Sequence, residues 1–311
     1  MELMATLEDK SQHLIIVDPP YFEVLGKFDF IWDSFDDYLK DVEKWAIEIK
    51  RVMADNGTLL WWGNDRKIAY SQIVLDKFFN LENSLIWEKC DSMQYQYYSP
   101  ELARRFNTHN ERVLCYSNEI GMTGLEFIEK EYIAPRNPFA KELKRARLEK
   151  GVSINQVAEY GKFYGNVNHG GAVTNWERGY NVPQVEQWKI LCDNLPIVRK
   201  EYEELRKEYE ELRRPFNNYM KLTDVLKFSQ QAHITGKWKH PTMKPPQICS
   251  ALIRTCSRKG MNMLVPFGGS GSECIEGFHA GLNVVSSELD KDYFEMAQQR
   301  IKEETAQLSL F

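Results

Sequence analysis

His13-Leu14-Ile15-Ile16-Val17-Asp18-Pro19-Pro20-Tyr21 is an apolar, β-branched run halted by two prolines. Proline supplies no N–H to a β-ladder, so the run predicts a buried strand that stops at Asp18. Downstream, Leu39, Val42, Trp45, Ala46, Ile49 and Val52 recur at helical spacing, and Asn56-Gly57 closes that helix. Residues 58–62 read as a second buried strand, 66–79 as a helix, and 84–87 and 112–116 as further strands. The last third resumes the same alternation: a helix over 245–258, a strand over 261–265, a glycine loop, a helix, a strand over 283–286 and a final helix from about residue 292. Strands alternating with helices imply an α/β fold whose parallel sheet is covered on both faces.

The middle of the chain differs. Asn137-Pro138 is a helix-start signal, Gly151 a stop, and Ser153-Ile154-Asn155-Gln156 has capping-box spacing. A glycine-rich stretch from Gly161 to Gly171 precedes Thr174-Asn175-Trp176-Glu177-Arg178-Gly179, and Pro183 opens a last helix. Four or five short helices over about 57 residues predict a small all-α domain. Residues 201–214 hold a repeat, Glu-Tyr-Glu-Glu-Leu-Arg-Lys then Glu-Tyr-Glu-Glu-Leu-Arg-Arg, with Tyr202, Leu205, Tyr209 and Leu212 on one helical face. The expected organisation is a catalytic half over 1–135, a helical domain over 136–197, a connecting helix over 198–214 and a second half of the main domain over 215–311.

Composition narrows the function classes. The chain has 311 residues, is 43% hydrophobic and 27% charged, and has a formal net charge of −5. Those proportions exclude a disordered or fibrous chain. No stretch reaches the roughly 18 apolar residues of a membrane span. The polar N-terminus lacks the apolar core of a secretory signal. Six scattered cysteines with no C-x-x-C pair predict neither a disulfide framework nor a zinc site, and suit a reduced cytoplasm. A negative total argues against a polyanion partner, but the charge is uneven. Residues 1–135 carry 14 basic and 24 acidic side chains, whereas residues 136–189 carry 9 and 5. A polyanion would therefore meet the middle segment.

Two features carry chemistry. The loop Pro266-Phe267-Gly268-Gly269-Ser270-Gly271 lies between a strand and a helix, where backbone N–H groups can approach a ligand closely. Glu288 ends the next strand about twenty residues on, the spacing of a carboxylate that takes ribose hydroxyls. Asp18-Pro19-Pro20-Tyr21 is sharper. An Asp and a proline-fixed carbonyl can accept both hydrogens of one exocyclic amine, which frees the nitrogen lone pair to attack a methyl donor. Tyr21 offers a flat face for an extruded base.

With these motifs in this order, the sequence resembles the β class of amino-methylating DNA methyltransferases, which use S-adenosylmethionine. Asp18-Pro19-Pro20-Tyr21 resembles their catalytic motif, His240-Pro241-Thr242-Met243-Lys244-Pro245 the motif before the glycine loop, and Phe267-Gly268-Gly269-Ser270-Gly271 the loop itself. The resemblance covers residues 12–135 and 215–305. It implies a Rossmann-like methyltransferase sheet with circularly permuted motif order. It assigns Asp18, Pro19 and Pro20 to the target amine and Tyr21 to base stacking. Phe267, Gly268, Gly269, Ser270 and Gly271 would line the cofactor with Asp18 and His240, Glu288 would hold its ribose, and Thr242 and Lys244 would lie near its methionine end. Where the family usually has Asp before Pro-Phe, this chain has Val265; a polar contact to the methionine end is then missing or supplied by Asp18.

Residues 139–195 resemble a phage-repressor-type helix-turn-helix, although the stretch from Ala158 to Trp176 is about five residues longer than that pattern allows. The resemblance implies Thr174, Asn175 and Arg178 toward the major groove and Arg145, Arg147 and Lys150 toward phosphates. Trp176 and Trp188 read as core. The implied activity is sequence-specific adenine N6-methylation of double-stranded DNA with base flipping, without a metal. A homodimer and a cognate restriction nuclease are the partners that the class suggests. N4 methylation of cytosine competes with it, as does a DNA-binding regulator with a vestigial methylase domain. Methylation of RNA or a protein amide is disfavoured by Asp18. No cysteine follows proline, which argues against methylation at cytosine C5. Tyr95, Tyr97 and Tyr98 form an aromatic cluster that suits either base stacking or packing over the sheet.

Overall fold

The computed structural model describes residues 1–23, 27–90, 108–118, 137–163, 171–230, 237–238, 240 and 243–306. Thr242, the tyrosines at 95, 97 and 98, and residues 164–170 of the glycine-rich stretch lie outside them. The chain divides into two compact units, Met1–Asn118 with Arg214–Phe311, and Glu119–Arg213.

In the first unit, the described strands are β1 (Gln12–Val17), β2 (Met53–Asn64), β3 (Asn80–Lys89), β4 (Asn110–Ser117), β5 (Val225–Phe228), β6 (Asn262–Val265) and β7 (Asn283–Ser286). They form one sheet in the order β5-β3-β4-β2-β1-β6-β7. β1 pairs in parallel with β2 and β6, β6 with β7, and β3 with β5. The expected all-parallel sheet is corrected at β4, which runs antiparallel to both β2 and β3. A strand can reverse directly onto its neighbour in an antiparallel pair, whereas parallel neighbours need a crossover. Strand–helix alternation in sequence does not reveal that reversal.

The sheet is buried on both faces because β1 is apolar at every central position. Ile15 and Val17 join a core with Val42, Ala46 and Ile49 of α2 (Phe35–Val52) and Leu75 of α3 (Ile68–Leu75), onto which the short α1 (Glu2–Ala5) adds Met4. Leu14 and Ile16 face the opposite core. The start of α2 is fixed locally by Ser34, whose hydroxyl accepts from the Asp37 amide at 3.2 Å.

The second unit holds α4 (Pro138–Lys150), α5 (Ile154–Gly161), α6 (Gly171–Glu177), α7 (Val185–Asn194) and α8 (Tyr202–Leu212). Its boundaries follow the local signals. Asn137 caps α4 by accepting from the Ala140 amide at 3.2 Å, Gly151 ends it at φ 70°, and Ser153 and Gln156 complete a reciprocal capping box on α5. Phe139, Leu143, Val157, Val173, Trp176, Trp188 and Leu191 form the core. The connecting helix of the sequence reading is packed into this unit: Leu205 of α8 is fully buried in its core, and the Tyr202 hydroxyl donates to the Pro183 carbonyl at 2.9 Å. The repeat's apolar face needed a partner, and the neighbouring helices supply it.

In the first unit, α9 (Pro246–Cys256) lays Ile248, Cys249, Leu252 and Ile253 on the face opposite α2. α10 (Ser272–His279) follows the glycine loop after β6, and α11 (Lys291–Ala306) follows β7. The chain leaves β1 toward β2 on one side, and β6 leads to β7 on the other. The crevice beyond the carboxyl ends of β1 and β6 is therefore a topological switch point, where open α/β sheets bind ligands.

Candidate active site

A cavity of about 610 Å³ opens at that crevice and is lined by Asp18, Pro19, Pro20, Tyr21, His240, Lys244, Phe267, Gly268, Gly269, Ser270, Glu273 and Glu288, with apolar walls from Ile31, Trp32, Trp45 and Leu289. The sheet order thus brings the two motifs, some 250 residues apart in sequence, to one site. Gly271 is close by but does not line this cavity.

The Asp18 turn is held from three sides. The Tyr21 amide donates to Oδ1 of buried Asp29 at 2.7 Å, and the Tyr21 hydroxyl donates to Asp18 Oδ1 at 2.6 Å. Lys244 Nζ lies 2.7 Å from Asp18 Oδ2 and 3.2 Å from Glu111 Oε2, while Lys89 holds Glu111 Oε1 at 2.6 Å. Lys244 is 2% exposed, and its ammonium also sits 4.9 Å from the Trp62 ring centre. Burial alone would lower the Lys244 pKa, but Asp18 and Glu111 outweigh it and raise the value above that of an ordinary lysine. Burial pushes Glu111 upward, but Lys244 and Lys89 pull it below the usual carboxylate value. Both charges of this chain of ion pairs are therefore present at neutral pH. Each Asp18 oxygen keeps a lone pair beyond the partner named here, so the carboxylate is oriented yet still able to accept.

The sequence motif predicts Lys244 beside the cofactor's methionine end. The structure puts its ammonium against Asp18, because β4 and the segment before α9 converge there. Glu111 and Lys89 are not legible as site residues in sequence: they sit on β4 and β3, and only the antiparallel register at the sheet centre directs them toward Lys244. Tyr21, expected to stack on a base, is 9% exposed with its ring in the core beside Trp62.

The glycine loop is shaped by backbone demands. The Gly268 amide donates to the Ser287 carbonyl at 2.7 Å, and a Cβ on Gly268 would lie 2.7 Å from Ser286 Oγ. Gly269 and Gly271 have φ of 47° and 76°. Gly271→Ala is expected to lower unfolding free energy by about 1–2 kcal/mol, the strain of an L-residue in left-handed backbone, measured by denaturant titration. Glu288 accepts from the amides of Gly269 at 2.8 Å and Asp290 at 2.9 Å, so it ties the loop to the end of β7. Arg300 of α11, 3% exposed, donates to the Ser270 carbonyl at 3.1 Å and Ser272 Oγ at 3.0 Å. No local pattern marks Arg300, which reaches the loop across the packing of α11 on α10. His240 packs edge-on to Tyr293 at 4.5 Å, and burial lowers its pKa.

These residues fit a cationic nucleoside. Glycines leave space at the loop, Glu288 lines the cavity where ribose hydroxyls could be taken, the aromatic wall of Trp45 and Phe267, 5.0 Å apart, suits an apolar ring, and among the described residues lining the cavity acids outnumber the one lysine. Among the described residues no cluster suited to a metal ion occurs, and no helix is long and apolar enough to cross a membrane.

In the helical unit, Arg147 places its fork on Glu177, Nε to Oε1 at 2.5 Å and a second N–H to Oε2 at 3.0 Å, and its side chain is 14% exposed. That bidentate pair ties α4 to α6. Arg145 bridges Glu142 at 3.2 Å and Glu149 at 2.5 Å, and Lys150 donates to the Asn194 carbonyl at 2.5 Å. Thr174 lies on α6 and is half-buried; Asn175 on α6 and Arg178 just beyond it are exposed.

A mixed seven-stranded sheet with ligand loops at adjacent strand ends is the α/β architecture of methyltransferases. Solved structures with that fold include the DNA modification methylase TTHA0409 from Thermus thermophilus, complexed with S-adenosyl-L-methionine (15% identity, TM-score 0.51, covering 97% of this chain and 90% of that one). Another is PvuII DNA methyltransferase, described as cytosine-N4-specific (11% identity, TM-score 0.53, covering 99% and 89%). The chain belongs to the DNA methylase family of N6/N4 type, whose family model matches residues 12–299. The Type II methyltransferase M2.MboI of Moraxella bovis is 33% identical over 320 residues, which span 98% of this chain and 86% of the relative.

Proposed function

We propose that the protein is an S-adenosylmethionine-dependent DNA adenine N6-methyltransferase that flips its target base. The observation that carries this reading is the meeting of Asp18 and the glycine loop in one cavity, with Asp18 fixed by Tyr21 and Lys244. Bound there, S-adenosylmethionine supplies an activated methyl group on a sulfonium, and no covalent enzyme intermediate is needed. Gly268, Gly269 and Ser270 hold the cofactor, and Glu288 takes its ribose. Asp18 and the Pro19 carbonyl accept the two amine hydrogens of the base, so the nitrogen lone pair leaves the ring's conjugation and points outward. Lys244 neutralises Asp18 and orients its carboxylate. In this role Tyr21 stacks on the base by way of whatever part of its ring the Asp18 hydrogen bond leaves accessible.

The helical unit is read as a helix-turn-helix-like target-recognition domain over 136–197. Thr174, Asn175 and Arg178 would face the major groove, and Arg145, Arg147 and Lys150 would reach phosphate by releasing the partners named above. Cytosine N4-methylation is the second reading, favoured by the fold shared with a cytosine-N4-specific enzyme and opposed by Asp rather than Ser at position 18. Type II relatives support a place in a restriction-modification pair, with a cognate nuclease and dimerisation as further expectations.

Incubation with methyl-labelled S-adenosylmethionine and duplex DNA, followed by digestion and nucleoside analysis, tests this directly. Label is expected in N6-methyladenine, and duplex binding should weaken as salt rises. Label in N4-methylcytosine would establish the second reading. Salt-sensitive duplex binding with no transfer to any DNA would establish a regulator.

A further inference from the structure

Glu273 opens the first turn of α10 and is 6% exposed, yet it lines the cavity, and its Oε1 has no hydrogen-bond partner among the described residues. A buried carboxyl with an unmet oxygen is an expensive feature unless a donor arrives from outside. The lysine in the cavity cannot serve, because Lys244 already bridges Asp18 at 2.7 Å and Glu111 at 3.2 Å. The other charged and titratable groups that act on Glu273 are Asp18 beyond β1, Arg300 of α11 and Cys249 of α9; Arg300 is engaged by Ser270, Ser272 and Glu304. Val265, which leads into the glycine loop, brings no polar side chain. Among the described residues, no positively charged donor therefore reaches this oxygen.

We infer that Glu273 is the counter-charge that receives the α-ammonium of the cofactor's amino-acid end. Of the cofactor's two cationic groups only the ammonium carries N–H donors, and an unpartnered carboxylate oxygen needs a donor rather than charge alone. The assignment rests on the cofactor reading above; it answers the sequence expectation that this contact is missing or supplied by Asp18, and leaves the remaining lone pairs of Asp18, beyond Tyr21 and Lys244, to the target amine.

Titration behaviour gives the inference a readout apart from turnover. Burial, then the nearby Asp18 charge, push the Glu273 carboxyl up to about 7. The ligand-free site consequently holds a proton on much of its population near neutrality, and an arriving ammonium expels it. Calorimetric binding of S-adenosylmethionine, S-adenosylhomocysteine and 5′-methylthioadenosine to the full chain and to Glu273→Gln, in buffers of different ionisation enthalpy between pH 5.5 and 7.5, counts that proton. Below about pH 6.5 the ligands' α-amino groups stay protonated, and the proton uptake that they add toward pH 7.5 is measured in Glu273→Gln and subtracted. The wild type should release a fraction of a proton near pH 7 and bind the first two ligands more tightly as pH rises. Glu273→Gln should bind both at least about tenfold more weakly, with no proton release, and bind methylthioadenosine, which lacks the amino-acid end, unchanged.

Folding has its own check. A carboxyl raised above its unfolded value loses folded-state stability as pH rises from about 4.5 through 7, so ligand-free Glu273→Gln should melt at or above the wild type at pH 7.5. Equal affinity and equal proton release in the two proteins would overturn the inference. Loss confined to S-adenosylmethionine, the only sulfonium of the three, would also overturn it in favour of the sulfonium. A wild type that binds none of the three would instead overturn the cofactor reading.

Discussion

Asp18→Ala is expected to reduce methyl transfer to duplex DNA by at least about 10³-fold, the scale set by removing a fixed acceptor or donor from a reacting centre. Cofactor affinity should change by only a few-fold, because the glycine loop, Glu288 and the apolar wall are untouched. The variant also releases the Tyr21 hydroxyl from its 2.6 Å bond and leaves Lys244 with Glu111 as its remaining carboxylate. The ion pair to Glu111 keeps the lysine satisfied, so the protein should still fold. Single-turnover transfer and equilibrium cofactor binding separate the two effects. Asp18→Asn sharpens the test: it keeps the size and one acceptor oxygen but loses the charge that faces Lys244. Turnover equal to wild type in the alanine variant would sink the catalytic assignment.

Lys244→Met carries the largest expected effect on stability. The substitution fills similar volume but removes the cation between Asp18 and Glu111, so Asp18 loses its charged partner and Glu111 is left with Lys89 alone. Breaking a buried ion pair from one side typically destabilises by about 3–5 kcal/mol, because the other charge is left uncompensated. The pH dependence follows from the two shifts. The raised Lys244 pKa means its contribution is complete below the unfolded lysine value and is lost only as pH climbs through the raised one. The lowered Glu111 pKa means its contribution is present above the unfolded carboxylate value and is lost as pH falls through the lowered one. The deficit of the variant should therefore be full near pH 7 and shrink in acid, where its carboxyls protonate. Denaturant unfolding at pH 7 and pH 4 measures it; a deficit below about 1 kcal/mol, or one that grows in acid, contradicts the ion-pair account. Transfer should fall with stability held constant by assaying at low temperature, since Asp18 loses the group that orients it.

The legibility of this site in the sequence follows from the range over which each signal acts. Asp18-Pro19-Pro20-Tyr21 could be read because proline fixes backbone locally and an apolar run marks a buried strand wherever it lies. The glycine loop could be read for the same reason: left-handed backbone at Gly269 and Gly271 is a property of those residues. The helix caps at Asn137, Gly151 and Ser153 were likewise local. The fate of the basic residues was not. Arg147 looks like a phosphate ligand in sequence, but Glu177, thirty residues on, is brought against it by the packing of α6 on α4.

Sequence by itself determined six of the seven described strands, all but β5, together with the helical insertion, the Asp18 turn, the glycine loop and the resemblance to the family, since periodicity, proline geometry and glycine freedom are encoded residue by residue. The direction of β4, the burial of α8, the chain Lys89–Glu111–Lys244–Asp18 and the unmet oxygen of Glu273 were decided only by tertiary structure. Charges and hydrogen bonds act over a few ångströms in space, and the order of strands in the sheet sets which distant residues come within that reach.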